Sequence, residues 1–127
     1  MHTDPISDLL TQIRNALAAQ KDAIRLPYSN IKKAICDILV KNKYIGGVSV
    51  EEEGVHRYLC IDLTGENPPL ELKRMSKPGQ RRYVAAPDIR SVRKGLGCGI
   101  YSSSQGILTD YDMRKRKIGG EYLCEIF

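Results

Sequence analysis

The sequence predicts an α+β fold made of two small lobes. Residues 1–66 contain two stretches with helical spacing of apolar residues and three short β-compatible runs, which indicates an α-β-α-β-β lobe. Residues 67–127 contain mainly short strand-like segments, which indicates a mostly antiparallel β lobe with short helices. Between them, the run Gly65-Glu66-Asn67-Pro68-Pro69 concentrates residues that end regular structure. The boundary between the lobes is therefore predicted at residues 66 and 67.

The first lobe begins with a helix. Asp4 is a suitable N-cap and Pro5 suits the first helical position. The apolar residues that follow recur at helical spacing: Ile6, Leu9, Leu10, Ile13 and Leu17. A short strand over residues 23–26 ends at Pro27, and Ser29 is predicted to cap the second helix. The apolar face of that helix comprises Ile31, Ala34, Ile35, Ile38 and Leu39. Gly46-Gly47 ends it, and residues 48–50 and 58–63 then form an antiparallel pair of strands.

The second lobe consists of short strands and turns. The predicted strands cover residues 70–75, 81–84, 98–101, 107–108 and 122–127. Residues 87–94 are predicted to form one short helix, with Gly95 just after its end. Asp110 is predicted to cap a further short helix that runs through Lys117.

Charge is distributed unevenly along the chain of 127 residues. The net charge is +5, but residues 71–118 alone carry 12 Lys and Arg against 4 acidic residues, a net +8. Residues 1–70 are close to neutral. A cationic half beside a near-neutral half indicates a polyanionic partner bound on one face, although a merely solubilising basic face is the alternative.

The sequence argues against an enzyme, a cofactor or a metal site. The histidines, His2 and His56, lack a neighbouring nucleophile pattern. The glycines of Gly95-x-Gly97-x-Gly99 follow a predicted helix and precede a strand, which is the reverse of a dinucleotide-binding loop. The four cysteines, Cys36, Cys60, Cys98 and Cys124, lie singly in apolar runs and are predicted to be reduced core residues. With neither a membrane span nor a secretory signal, we expect a cytoplasmic protein.

A cluster of small hydroxyl side chains is the best candidate for a binding surface. Ser102-Ser103-Ser104 follows a short strand, precedes Gly106, and has basic residues on both sides in the sequence. Such a turn can approach a large polar partner closely. Arg81-Arg82-Tyr83 places a ring beside guanidinium groups, which suits folded RNA, while core packing of the tyrosine is the alternative. The run of cations at residues 114–117 suits either phosphates or the end of a helix.

These features together resemble the bacterial small-subunit ribosomal protein eight family along the whole chain. The resemblance is carried by residues 4–16, by Pro27-Tyr28-Ser29 with Lys32, by Pro78-Gly79-x-Arg81-x-Tyr83, and by Gly95-Leu96-Gly97 with Ser102-Ser103-Ser104-x-Gly106-x-x-Thr109 and Gly119-Gly120-Glu121-x-Leu123-Cys124. Besides Arg90 at a usual proline position and Asp112-Met113 in place of Glu-Ala, two departures concern the candidate contacts. Ser103 stands where the family usually has threonine, and Val84-Ala85-Ala86 replaces lysines, a loss that residues 114–117 could offset.

The resemblance implies a primary RNA-binding protein that binds the central domain of small-subunit ribosomal RNA and helps to assemble the platform of the subunit. The resemblance implies RNA contacts on both lobes, to which two cations of the run at residues 114–117 are added. The candidate contacts are then Ser102, Ser103, Ser104, Tyr83, Arg81, Arg14, Asn15, Ser29, Lys32, Arg114 and Lys115. Ribosomal proteins five and twelve are the implied neighbours, and no second copy of the chain is expected. The alternative is a free RNA-binding regulator, such as a repressor of its own messenger RNA.

Overall fold

The computed structural model describes residues 4–127, so His2 lies outside the described part. The chain forms two compact units: residues 5–69, and residues 70–127 together with Asp4. The first unit has the element order α-β-α-β-β, and the second is mostly antiparallel β with one short α-helix. The predicted α+β class with two lobes is confirmed.

The first unit has two helices and one three-stranded sheet. Helix α1 covers Pro5–Ala18, strand β1 Ala23–Pro27, helix α2 Asn30–Lys41, strand β2 Gly47–Glu53 and strand β3 His56–Asp62. The strands are antiparallel in the order β1-β3-β2. The central apolar positions predicted by the helical spacing are buried, including Leu9, Ile13, Ile35 and Leu39, while Leu17, Ile31, Ala34 and Ile38 are half-buried. They share the core of this unit with Leu59 and Ile61 of the central strand.

The second unit is a five-stranded sheet with short helical segments. Its strands are β4 (Leu72–Arg74), β5 (Tyr83–Val84), β6 (Cys98–Ser103), β7 (Gly106–Thr109) and β8 (Gly120–Ile126), and helix α3 covers Asp110–Arg116. The order is β4-β8-β6-β7, and β5 also pairs with β8. On one face, Tyr101 stacks on Tyr122 with the ring centroids 4.5 Å apart. Tyr101, Ile89 and Met113 form the buried centre of that face.

The glycine motifs of this unit have a steric explanation. A Cβ atom on Gly120 would lie 2.3 Å from the carbonyl oxygen of Ser102 on the neighbouring strand. A Cβ atom on Gly97 would lie 2.6 Å from a methyl group of Val92 and 2.8 Å from the carbonyl oxygen of Ile126. Both positions therefore need glycine for close approach of the backbone.

The helix predicted over residues 87–94 is wrong. The segment forms two separate 3₁₀ turns, Ala86–Asp88 and Val92–Gly95, because Ile89 between them is extended (φ −74°, ψ 123°). Ile89 and Val92 are both buried, and their spacing of three residues imitated a helical face. Arg93 and Lys94, inside the second turn, have left-handed backbone angles, with φ of 51° and 56°, so this turn contains a kink.

Two capping predictions also need correction. Helix α3 is capped by Thr109, whose hydroxyl accepts a hydrogen bond from the N–H of Asp112. The Asp110 carboxylate is buried instead, and it accepts from the N–H of Gly99 at 3.1 Å and from Arg114 at 2.9 Å. Ser29 occupies the N-cap position of α2, but its hydroxyl makes no capping bond.

The cysteines are free thiols, and three of the four lie in the core as predicted. Burial raises the pKa of Cys36, Cys98 and Cys124 to about 12. Cys60 is the exception because strand alternation turns it outward between the buried Leu59 and Ile61, beside the carboxylate of Glu51. Among residues 4–127, no group of side chains suited to a metal ion is found, and no helix is long and apolar enough to cross a membrane.

Candidate nucleic-acid interface

One face of the second sheet carries a row of polar and aromatic side chains across three strands. The strand register pairs Tyr83 with Glu121, Glu121 with Ser102, and Ser102 with Ile107. Directly paired residues in an antiparallel sheet point to the same face. A ring, a carboxylate and a hydroxyl from distant parts of the sequence therefore lie side by side. We call Tyr83, Glu121 and Ser102 the polar row.

Tyr83 is the most exposed member of the polar row. The residue is 74% exposed, so its ring faces solvent and does not pack in the core. Beside it, the guanidinium of Arg81 donates to Glu121 at 3.1 Å. The hydrogen bond with this carboxylate raises the pKa of Arg81, which stays charged. The exposed ring and the adjacent cation form a surface on which a base or ribose can stack.

Glu121 connects the polar row to the interior and is not among the contact residues predicted from the sequence. Its carboxylate accepts from the hydroxyl of Ser76 at 2.6 Å, and the Ser76 oxygen accepts from the N–H of Arg82 at 3.0 Å. Ser76 is fully buried. Burial alone raises the pKa of Glu121, but the hydrogen bonds from Ser76 and Arg81 outweigh it, and the pKa is lowered overall. The available signal was an acidic residue directly after Gly119-Gly120 in a cationic lobe.

The three serines have different environments. Ser103 pairs with Gly106 across a two-residue hairpin, where its hydroxyl donates to the carbonyl of Gly106 at 2.9 Å and accepts from the N–H of Gln105 at 3.1 Å. This hydroxyl closes the turn. Within the described residues, the hydroxyls of Ser102 and Ser104 have no hydrogen-bond partner. Ser102 is half-buried in the polar row, and Ser104 is exposed at the tip of the turn.

The cations of helix α3 also differ. Arg114 forms an ion pair with the buried carboxylate of Asp110 at 2.9 Å. Arg116 donates to the side-chain oxygen of Gln105 at 2.9 Å, which connects the helix to the serine turn. Lys115 is exposed, with no ion pair to another described residue. Of the two cations selected from the sequence, Lys115 is the one presented to solvent.

The four candidates in the first unit lie on its two helices. Arg14 and Asn15 are exposed on α1, and Ser29 is half-buried at the start of α2. Lys32 is only 6% exposed, although a surface cation was expected there. Its ammonium lies 3.5 Å from both the Asp8 carboxylate and the carbonyl oxygen of Pro27. Its position is thus fixed by the protein before any partner binds.

Comparison with known proteins gives a consistent result. Residues 4–127 match the family model described as ribosomal protein S8. The chain is similar to the protein named small ribosomal subunit protein uS8 from Persephonella marina, at 43% identity with full coverage of both chains. Proteins of the same name from Finegoldia magna, at 44% identity and full coverage, and from Clostridioides difficile, at 42% identity and 98% coverage of each chain, are similar to it as well.

Proposed function

Because the chain belongs to the ribosomal protein S8 family, we propose that it binds the central domain of small-subunit ribosomal RNA through the polar row and helps to assemble the platform. The chain is a small-subunit ribosomal protein and not an enzyme. The observation that carries the proposed binding site is the alignment of Tyr83, Glu121 and Ser102 in register on one face of the sheet, where Tyr83 is exposed.

Recognition at this site needs no covalent chemistry. The ring of Tyr83 stacks on a base or packs on a ribose, and the hydroxyls of Ser102 and Ser104 exchange hydrogen bonds with 2′-hydroxyl groups. Arg81 is held by Glu121, so its remaining N–H groups are oriented before RNA arrives. Ser103 shapes the turn that presents its two neighbours.

Phosphate contacts supply most of the affinity in this proposal. In the second unit, Arg81 and Lys115 contact phosphates, and Arg114 does so while it keeps its ion pair with Asp110. A second contact uses the exposed Arg14 and Asn15 and the half-buried Ser29 of the first unit, and Lys32, which is buried and paired with Asp8, adds its charge without direct contact. The Ser29 hydroxyl makes no capping hydrogen bond to helix α2, and this supports the contact because the hydroxyl can bond to a ligand instead.

The proposal also includes specific protein partners within the small subunit. Ribosomal proteins five and twelve are the protein neighbours. The alternative role as a repressor uses the same polar row, provided that the chain's own messenger RNA imitates the ribosomal site.

Filter binding to a transcript of the central domain tests the proposed function. If the protein neutralises roughly 4–6 phosphates, the logarithm of the affinity falls with the logarithm of salt with a slope of about −3 to −5. Tyr83→Ala should weaken binding, while Tyr111→Ala, which removes another exposed tyrosine of the same unit, should not. A flat salt response, or equal effects of the two substitutions, contradicts the proposal.

A further inference from the structure

The opposite face of the second sheet carries a cleft that the polar row does not use. The cleft has a volume of about 340 Å³, within the range of small-molecule and nucleotide sites. Three arginines from separate segments line it: Arg82 precedes β5, Arg90 lies between the two 3₁₀ turns, and Arg93 lies in the second turn. The stacked pair Tyr101 and Tyr122 also lines it.

Strand alternation separates this cleft from the polar row. Tyr83 and Glu121 belong to the polar row, whereas their immediate neighbours Val84 and Tyr122 line the cleft. Successive side chains of a strand point to opposite faces, and Tyr101 relates to Ser102 in the same way. A nucleotide that stacks on Tyr83 therefore lies on the opposite face of the sheet from the cleft and cannot occupy the cleft as well.

The arginines keep donors for a ligand. Arg82 has no side-chain partner among the described residues. Arg90 donates from one nitrogen to the carbonyl of Pro87 at 3.2 Å. Arg93 lies over the ring of Phe127 at 3.9 Å and is 3.8 Å from the exposed carboxylate of Glu71. A guanidinium has five N–H donors, so these contacts leave most of them unused.

The cleft is lined by fewer anionic than cationic side chains. Asp88 and Glu125 line it, and Glu125 accepts a hydrogen bond from the hydroxyl of Tyr122. Three arginines against two carboxylates give the cleft lining a net charge of +1. The balance favours an anionic ligand, and guanidinium groups suit the paired oxygens of a phosphate.

The backbone beside the cleft is held in an unfavourable conformation. Arg93, Lys94 and Gly95 are three consecutive residues with positive φ, and two of them carry side chains. Such conformations persist where the surrounding structure enforces them and are common at ligand sites. One of these residues, Arg93, lines the cleft.

We propose that this cleft binds a phosphodiester of a second RNA segment, so that the C-terminal sheet holds one segment on each face. That the phosphate belongs to RNA rests on the proposed function. The shared chemistry is phosphate recognition by Arg82, Arg90 and Arg93, for which a free nucleotide is the competing source.

Hydroxyl-radical footprinting of the central-domain transcript by the full chain tests this proposal. The C-terminal sheet of the wild type should account for two separate protected segments, in addition to any segment that the first unit protects. The double substitution Arg82→Gln with Arg90→Gln should abolish one protection, keep the other, and lower the salt slope by about two phosphates. Both side chains are exposed, so the melting temperature should stay at the wild-type value. Tyr83→Ala should weaken the other protection.

A charge-matched control separates specific from general effects. Lys21→Gln with Lys41→Gln removes two exposed cations of the first unit and should keep both protections. If the arginine variant behaves like this control, the cleft proposal is overturned while the polar row stands. If the wild type protects no segment, both proposals are overturned. If cytidine monophosphate binds the cleft with an affinity equal to that of the RNA, the cleft takes a free nucleotide and the RNA assignment is overturned.

Discussion

Replacing Glu121 gives the sharpest test of the polar row, because this carboxylate serves the fold and the surface together. Glu121→Ala removes the acceptor of the fully buried Ser76 hydroxyl. An unsatisfied buried donor costs about 1–3 kcal/mol, so we expect a loss of about 2 kcal/mol in the free energy of unfolding. Glu121→Gln keeps an acceptor oxygen but loses the charge, and about 1 kcal/mol should be lost.

The pH dependence of this loss has a definite sign. The pKa of Glu121 is lower in the folded protein than its usual value, so its contribution is present above the usual glutamate range and is lost as the pH falls through the folded pKa. The difference in unfolding free energy between the wild type and Glu121→Gln should therefore be full at pH 7 and shrink toward about pH 3. Urea denaturation at both pH values measures it. A difference that is zero at pH 7, or that does not change at pH 3, refutes the reasoning.

RNA binding by the same variant separates orientation from charge. Glu121→Gln makes the surface more positive by one charge, and simple electrostatics would strengthen binding. If the carboxylate orients Arg81, affinity for the central-domain transcript should instead fall several-fold. Glu66→Gln, which removes an exposed charge in the first unit, is the control and should leave affinity near the wild-type value. Tighter binding by Glu121→Gln contradicts the orienting role.

Three further predictions concern other parts of the second unit. Tyr83→Ala should lower affinity for RNA by roughly 1–3 kcal/mol with an unchanged melting temperature because the ring is exposed, while Tyr83→Phe should be mild; a destabilised Tyr83→Ala protein contradicts this. Ser103→Ala should lower both the melting temperature and the affinity in filter binding, because its hydroxyl makes the two hydrogen bonds that close the turn, while Ser102→Ala should lower affinity alone; an unchanged melt of Ser103→Ala contradicts this. Lys94→Gly should raise the unfolding free energy by about 1 kcal/mol in urea, since glycine accepts a φ of 56° without strain, and an unchanged or lower value counts against strain at this residue.

Periodicity along the sequence predicted the regular elements well because their cores are local. The helical spacing of Leu9, Ile13, Ile35 and Leu39 matches their burial in α1 and α2. The prediction of a helix across Ile89 failed because the spacing of apolar residues indicates which side chains are buried and not the backbone angles between them.

The candidate site was harder to predict because it depends on pairing between distant strands. Glu121 reaches Tyr83 and Ser102 only through the register of β5, β8 and β6, to which neighbouring residues in the sequence give no clue. The burial of Lys32 and Asp110 likewise depends on partners elsewhere in their own units, Asp8 and Gly99. The serine turn was found because its glycine and hydroxyl residues are consecutive.

The stacked tyrosines give this protein a built-in optical reporter. The chain has no tryptophan and seven tyrosines, so tyrosine dominates its near-ultraviolet spectrum. Tyr101 and Tyr122 lie nearly parallel, with an angle of 8° between the ring planes, and both belong to the second unit. Coupled transitions of such a pair produce circular dichroism that isolated, mobile rings lack. Unfolding of the second unit can thus be followed by that signal, while far-ultraviolet dichroism is dominated by the two longer helices, α1 and α2, of the first.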